Sequence, residues 1–450
     1  MTAAAVSRVG SGGAWRWLLL IAAAAAALLA LEWWRSADRA VPQPSPPPPV
    51  MTGLPRNYPE ALARLDLLIT DARAQAAAHD GEWLRYETLA RHLAARARLT
   101  GDYGDYAAAR DALDRAFAVA APGTGPHLVR AGFEFGMHRL GAAEAQLDSI
   151  DRYVVQPLRP ERSEVAAMRG DIAFYSGRYA DALGHYDAAD RIDPGAADFR
   201  RAIYHARTGD PDRAERFFDR SERASPLAGP QARSYLELQR GILDLDRGRW
   251  PEAMAHFRRA DAIFPDHWLI EEHIAEVTAL EGDPAKAAGM YRDIVRRTDH
   301  PEFMDALADI HAAQGEGEQA QSWRRRARAA WTERLAAFPE ASYGHAIDHC
   351  VAAGDRRCAL RLARLNAAAR PHGDAHIALA LALLGDGRVA EAKAVIERVL
   401  ATPWRTAALH TAAAEIFIAS GDATRASEQR RAALAIDPHA FDSIRLRRGR

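Results

Sequence analysis

Between residues 60 and 450 one pattern of small, aromatic and turn residues recurs about every 34 positions. The clearest unit is SEVAAMRGDIAFYSGRYADALGHYDAADRIDP, residues 163–194, which sets Gly170, Gly177, Ala182, Tyr186, Ala189 and Pro194 at fixed offsets. The offsets return at Gly241, Gly248, Ala253, Phe257, Ala260 and Pro265, and near the end at Ala414, Gly421, Ala426, Ala433 and Pro438. Turn glycines or their equivalents are placed at 104, 141, 177, 209, 248, 282, 315, 354, 387 and 421, with gaps of 32 to 39 residues. A unit this short cannot bury its own apolar face, so the chain must stack successive units to fold at all.

Each recurring position has a physical reason. The glycine ends a first helix in a left-handed turn, and the proline stops a second one. Small residues of the first helix (Gly170, Ala202, Gly241, Ala275) are expected to face alanines of the second (Ala182, Ala214, Ala253, Ala287), because helices approach closely only where side chains are small. Tyr186, Phe218, Phe257 and Tyr291 are then expected to fill the space between one hairpin and the next. Composition agrees with an all-helical chain, since alanine, leucine, arginine and glutamate dominate and strand-type residues are sparse. Lys286 and Lys393 are the only lysines, a skew towards arginine that points to a bacterial source.

These residues and spacings resemble the tetratricopeptide repeat family. The resemblance covers about residues 82–438, or about ten hairpins. It implies an all-α superhelical solenoid of antiparallel helix hairpins that binds proteins rather than catalysing a reaction. Units near 104, 141 and 354 depart from the pattern, and the hairpin after Gly315 has a longer second helix. Residues 60–81 read as an N-terminal capping helix and 439–450 as a basic C-terminal cap.

Ahead of the array, residues 17–31 are uncharged and apolar, with Arg16 before them and Glu32, Trp33, Trp34 and Arg35 after, and the flanking tryptophans extend the segment over 17–34. That segment reads as a transmembrane signal anchor, with 1–16 as a cytoplasmic tail and 35–59 as a proline-rich linker holding the array off the bilayer. A cleaved signal peptide would also contain an apolar run of this length. Either way the expected location is the bacterial inner membrane or beyond it, with the array in the periplasm.

Catalytic signatures are missing. The sequence has no phosphate-binding G-x-x-x-x-G-K-[ST], no H-E-x-x-H and no G-x-S-x-G. His267, Glu271, Glu272 and His273 cluster without the spacing of known zinc helices, and His345 and His349 are four apart, so both groups read as ordinary surface or packing residues. No metal, cofactor or small-molecule substrate is expected. A net charge of −1 gives no basic field for nucleic acid. Cys350 and Cys358 stand four residues either side of Gly354, opposite each other in a hairpin. A disulfide fits there in an oxidising compartment, and two buried thiols would read the same.

The resemblance further implies that first helices line a concave groove. Phe174, Tyr175, Phe199, Ile203, Tyr235, Leu238, Ile242 and Leu245 would make one end aromatic and apolar. Glu272, Glu276, Glu302, Asp305, Asp309 and Asp348 would make its centre acidic. The expected partner is a protein segment carrying basic residues beside apolar anchors. Arginines on second helices, Arg213 to Arg223 and Arg324 to Arg328, read as an outer basic surface. The leading functional expectation is an envelope scaffold for assembly or biogenesis, and the alternative is a cytoplasm-facing anchored regulator that recruits a protease or chaperone.

Overall fold

The computed structural model describes residues 53–442 apart from 154, 226 and 227. The expected tail at 1–16, the membrane segment at 17–34 and most of the 35–59 linker lie outside the described residues, as does the end of the C-terminal cap. Among the described residues no helix is long and apolar enough to cross a membrane.

An N-terminal helix, Tyr58–Ala78, precedes ten helix pairs among the described residues. The first five are Trp83–Thr100 with Tyr103–Val119, His127–Gly136 with Leu140–Asp151, Arg159–Tyr175 with Tyr179–Ile192, Asp198–Arg207 with Pro211–Ala224, and Pro230–Leu245 with Trp250–Ile263. The second five are Trp268–Leu280 with Pro284–Thr298, Pro301–Ala313 with Gly317–Ala337, Pro339–Ala352 with Arg356–Ala369, Gly373–Gly385 with Val389–Leu400, and Ala407–Ala419 with Ala423–Ile436. The expected linker runs too far, because the first helix starts at Tyr58. Pro59 fits in its opening turn, where no backbone donor is needed, and the Asn57 side chain accepts from Glu60 N at 2.8 Å.

Eight of the ten expected turn glycines hold left-handed backbone, from Gly177 at φ 74° to Gly421 at φ 77°. The first two do not. Gly104 and Gly141 lie inside second helices, and the left-handed residues are Gly101 at φ 72° and His138 at φ 62°. His138 is not a glycine, which is why spacing alone led to Gly141 instead.

The large aromatics of the second helices have a neighbour within their own hairpin as well as in the next. A Cβ on Gly170 would stand 2.3 Å from Tyr186 Cε1, and one on Gly241 would stand 2.3 Å from Phe257 Cε1. Both rings therefore lie on the small residue of their own hairpin, and the second-helix aromatics also reach the next one: Phe257 stacks on His273 with centroids 5.1 Å apart, and Tyr291 on Phe303 at 6.0 Å. Tyr186 Oη then donates to Asp171 at 3.0 Å, and Asp171 accepts from Arg200 of the following hairpin at 2.7 Å. This polar relay adds to the apolar packing between the third and fourth hairpins.

The array winds tightly enough for its second superhelical turn to sit directly on its first. Tyr58 N donates to Pro265 O at 3.0 Å, joining the N-terminal helix to the corner before the sixth hairpin. The turn of the first hairpin meets His300 before the seventh, and His138 in the second donates to Glu340 O in the eighth at 3.1 Å. Tyr179 Oη in the third accepts from Gly373 N in the ninth at 3.0 Å. Arg207 O in the fourth accepts from Arg405 N before the tenth at 2.9 Å. Trp250 in the fifth stacks on His439, after the tenth, with ring centroids 4.0 Å apart. The pairs first and seventh, second and eighth, third and ninth, and fourth and tenth are each six apart, so about six hairpins make one turn.

This seam buries much of the heavy aromatic content. Phe264, Phe338 and Trp404 stand at corners between hairpins and are each no more than 1% exposed. Phe264 packs with Ala61 and Leu99, Phe338 with Ile69, Leu93 and Phe133, and Trp404 with Phe174, Tyr179 and Tyr204. Hydrophobic clusters thus run across the seam, and the two superhelical turns share one core. The C-terminal cap begins as a seam contact too: Asp437 is fully buried, and its Oδ1 lies where a Cβ on Gly248 would stand.

The glycines record the same division. An added Cβ would stand 2.1 Å from His300 at Gly101, 2.7 Å from Pro371 O at Gly177, 2.7 Å from Arg405 at Gly209 and 2.0 Å from Asp437 at Gly248. At Gly282, Gly315, Gly354, Gly387 and Gly421 nothing lies within 4 Å. The first five turns are covered by the coil above, and the last five are open.

Candidate functional site

Two clefts gather most of the residues expected to line the groove. The first, about 500 Å³, is walled by Tyr175, Phe199, Tyr235 and Ile242 from first helices of the third to fifth hairpins. Tyr235 is its most open side, at 44% exposure, and its ring lies 5.8 Å from that of Phe199. Phe174 reaches the cleft only from the core, being 3% exposed. Leu238 and Leu245 do not belong to it. They are 1% and 2% exposed and pack with Phe257 and Val277, because the first helix turns those positions towards the next hairpin.

Sequence reasoning missed the far wall. Trp404 and Asp374 come from the second superhelical turn and close the aromatic cleft from across the seam. Asp171, Arg200, Arg207 and Asp246 add a charged rim, in which Arg207 donates to Asp246 at 3.0 Å and Arg200 to Asp171 at 2.7 Å. A chain distance of about two hundred residues hides such a wall from any periodicity argument.

The second cleft, about 300 Å³, brings together Glu272, Glu302, Asp305, Asp309 and Asp348, with Trp268, His300 and His345 beside them. Glu276 faces a different, smaller space with Arg207 and Asp374. The expectation of a row of open carboxylates needs correction, since several are braced from within. Arg334 NH1 donates to both oxygens of Glu302, at 3.0 and 3.1 Å. Asp305 takes His349 Nδ1 at 2.7 Å on one oxygen and Trp331 Nε1 at 2.8 Å on the other. Arg324 reaches Asp309 at 3.5 Å. Arg324 and Arg334 belong to the long second helix of the seventh hairpin, so part of the expected outer basic surface turns inward. Burial raises the Glu302 carboxyl, but Arg334, with His345 and His300, outweighs it and holds the group below its usual range.

On the helix Trp268–Leu280 three metal-type donors meet: Glu272, His273 and Glu276 lie with their ligand atoms within 4.8 Å of one another. Burial disfavours the His273 imidazolium, yet Glu272 and Glu276 lift its pKa to about 9. His267 and Glu271, singled out with them in the sequence, go elsewhere: His267 packs between Tyr58 and Phe264, and Glu271 pairs with Arg297. Cys350 and Cys358 are joined by a disulfide across the eighth hairpin turn, with Cα atoms 5.7 Å apart.

No family model and no curated protein matches the chain. Solved structures it resembles include PilF of Pseudomonas aeruginosa, at 16% identity over 47% of this chain and 94% of that one, with a TM-score of 0.33. A tetratricopeptide repeat protein of Parabacteroides merdae aligns at 16% identity over 57% and 96%, with a TM-score of 0.32. Yeast Tom70 aligns at 13% identity over 85% and 96%, with a TM-score of 0.36. Scores this low carry no inference, and the assignment to stacked helical hairpins rests on the chain's own geometry.

Proposed function

We propose that the chain is a membrane-tethered scaffold whose coiled array binds a segment of another protein across the two clefts, serving assembly or biogenesis in a bacterial envelope. The observation that carries this reading is the pairing of an aromatic cleft, open at Tyr235, with an acidic cleft built from first helices of the sixth to eighth hairpins. A segment with apolar anchors and basic residues would match the two in turn. All ten pairs are engaged in the array, and the braced acids still leave the second cleft rich in carboxylate. The disulfide favours an extracytoplasmic array over the cytoplasm-facing regulator, because such bonds persist in oxidising compartments.

The test is crosslinked affinity purification from detergent-solubilised membranes, comparing wild type with Tyr235→Ala and Ile242→Asp. A partner captured by wild type and lost by both variants, with helicity unchanged, supports the reading. Identical capture by all three refutes the aromatic cleft as the docking face. Cysteine-accessibility labelling of the array in intact cells reports the side of the membrane.

A further inference from the structure

We infer that Glu272, His273 and Glu276 form a binding site for one divalent transition-metal ion of the Zn2+, Co2+ or Mn2+ type. The three residues occupy consecutive turns of one helix, where residues four apart share a face. His273 is only 9% exposed, and its ring is pinned by stacking on Phe257, with centroids 5.1 Å apart and planes at 29°. That pin leaves Nδ1 at 2.7 Å from Glu272 Oε1 and 3.7 Å from Glu276 Oε2.

The decisive feature is direction. His273 Nδ1 is buried in close contact with Glu272 but makes no aligned hydrogen bond. Elsewhere in the array, histidines meet their oxygen partners in aligned bonds, such as His256 on Glu237 at 2.8 Å and His349 on Asp305 at 2.7 Å. Donor atoms that touch without pointing at each other are arranged as ligands are around a common centre. In a tetrahedral zinc site, bonds of about 2.1 Å put ligand atoms roughly 3.4 Å apart, within the spread of separations found in this cluster.

Charge leads to the same conclusion. With a neutral imidazole the donor set brings two carboxylate charges to the ion, which suits a dication. One nitrogen and two carboxylate oxygens suit a borderline first-row ion, whereas calcium needs six to eight oxygens. Glu272 opens onto the acidic cleft, which supplies an entry path and leaves a further coordination position for water.

The probe is Zn2+ alone, titrated calorimetrically into chelator-treated full chain in detergent at neutral pH. Wild type should bind one ion per chain. Glu272→Gln, which lies at the cleft edge, should weaken binding by more than the roughly tenfold that an outer-shell partner is worth. His273→Asn should abolish it, with circular dichroism confirming the fold, and His345→Ala should leave it unchanged. The inference is overturned if wild type takes up no ion at millimolar Zn2+, or if Glu272→Gln binds as well as wild type. Loss of binding in His345→Ala alone would equally overturn it, by placing the ion in the neighbouring cleft.

Discussion

Replacing Gly177 by alanine should cost far more than replacing Gly354 by alanine, although both hold left-handed backbone, at φ 74° and 72°. The conformational cost is common to both, about 1–2 kcal/mol for a non-glycine residue in this region. At Gly354 nothing lies within 4 Å of the new methyl group, so that cost is the whole effect. At Gly177 the methyl would stand 2.7 Å from the carbonyl oxygen of Pro371, a backbone atom that cannot rotate away. Relieving the overlap means lifting the ninth-hairpin corner off the turn beneath, close to the Gly373 N to Tyr179 Oη bond. Overpacking of this kind adds about 1–3 kcal/mol. The assay is hydrogen exchange with mass spectrometry alongside urea unfolding, because a long array need not unfold in one step. Exchange should quicken around residues 371–375 and 404–406 in Gly177→Ala, and only near the altered turn in Gly354→Ala. Equal losses confined to each variant's own turn would mean that the two superhelical turns do not touch in solution.

Gly170→Ala should destabilise the third hairpin, although alanine in a helix ordinarily gains up to about 1 kcal/mol over glycine. The added methyl meets the Tyr186 ring at 2.3 Å, so thermal melting should fall, and Tyr186→Leu should restore part of the loss. Acid should loosen the seam. Burial is the main cause that lowers His138 and His372 to about 3 and His267 and His300 to about 4. Arg370 adds to the effect at His138 and His372, and Glu302 opposes it at His300. Because these values are depressed, seam stability is intact above about pH 6.5 and is lost as pH falls towards 4, on the order of 2 kcal/mol per histidine at pH 5. An unchanged urea midpoint between pH 7 and pH 5 would contradict this. Reducing the Cys350–Cys358 bond, which closes a loop with a separation of 8 residues, should cost about 2–3 kcal/mol locally. Limited proteolysis at the eighth hairpin turn, with and without reductant, checks it.

Much of this architecture is legible in the residues because it is local. A small residue, a left-handed glycine and a helix-stopping proline act within about 34 positions, so repetition exposes them and places eight of ten turns correctly. The disulfide partners share one hairpin for the same reason. Tyr175, Phe199, Tyr235 and Ile242 gather in one cleft because first-helix positions recur with the period.

Only the tertiary structure decides what happens across superhelical turns. Tyr103, Tyr179 and Trp250 stand two residues after covered turns and Gly317, Arg356 and Ala423 after open ones, although proline holds that position after both a covered turn (Pro211) and an open one (Pro284). Sequence shows part of that difference, but nothing local says that a second coil lies above the first. The small angle between neighbouring hairpins accumulates over about six of them before it brings Trp404 onto Phe174 or Asp374 into the aromatic cleft. The same limit explains the braced acids. Arg334 is 32 residues from Glu302 and His349 is 44 from Asp305, so each reaches its carboxylate only after helices have packed. Local periodicity determined the repeating unit, and the summed geometry of many units determined which faces are covered, neutralised or left open.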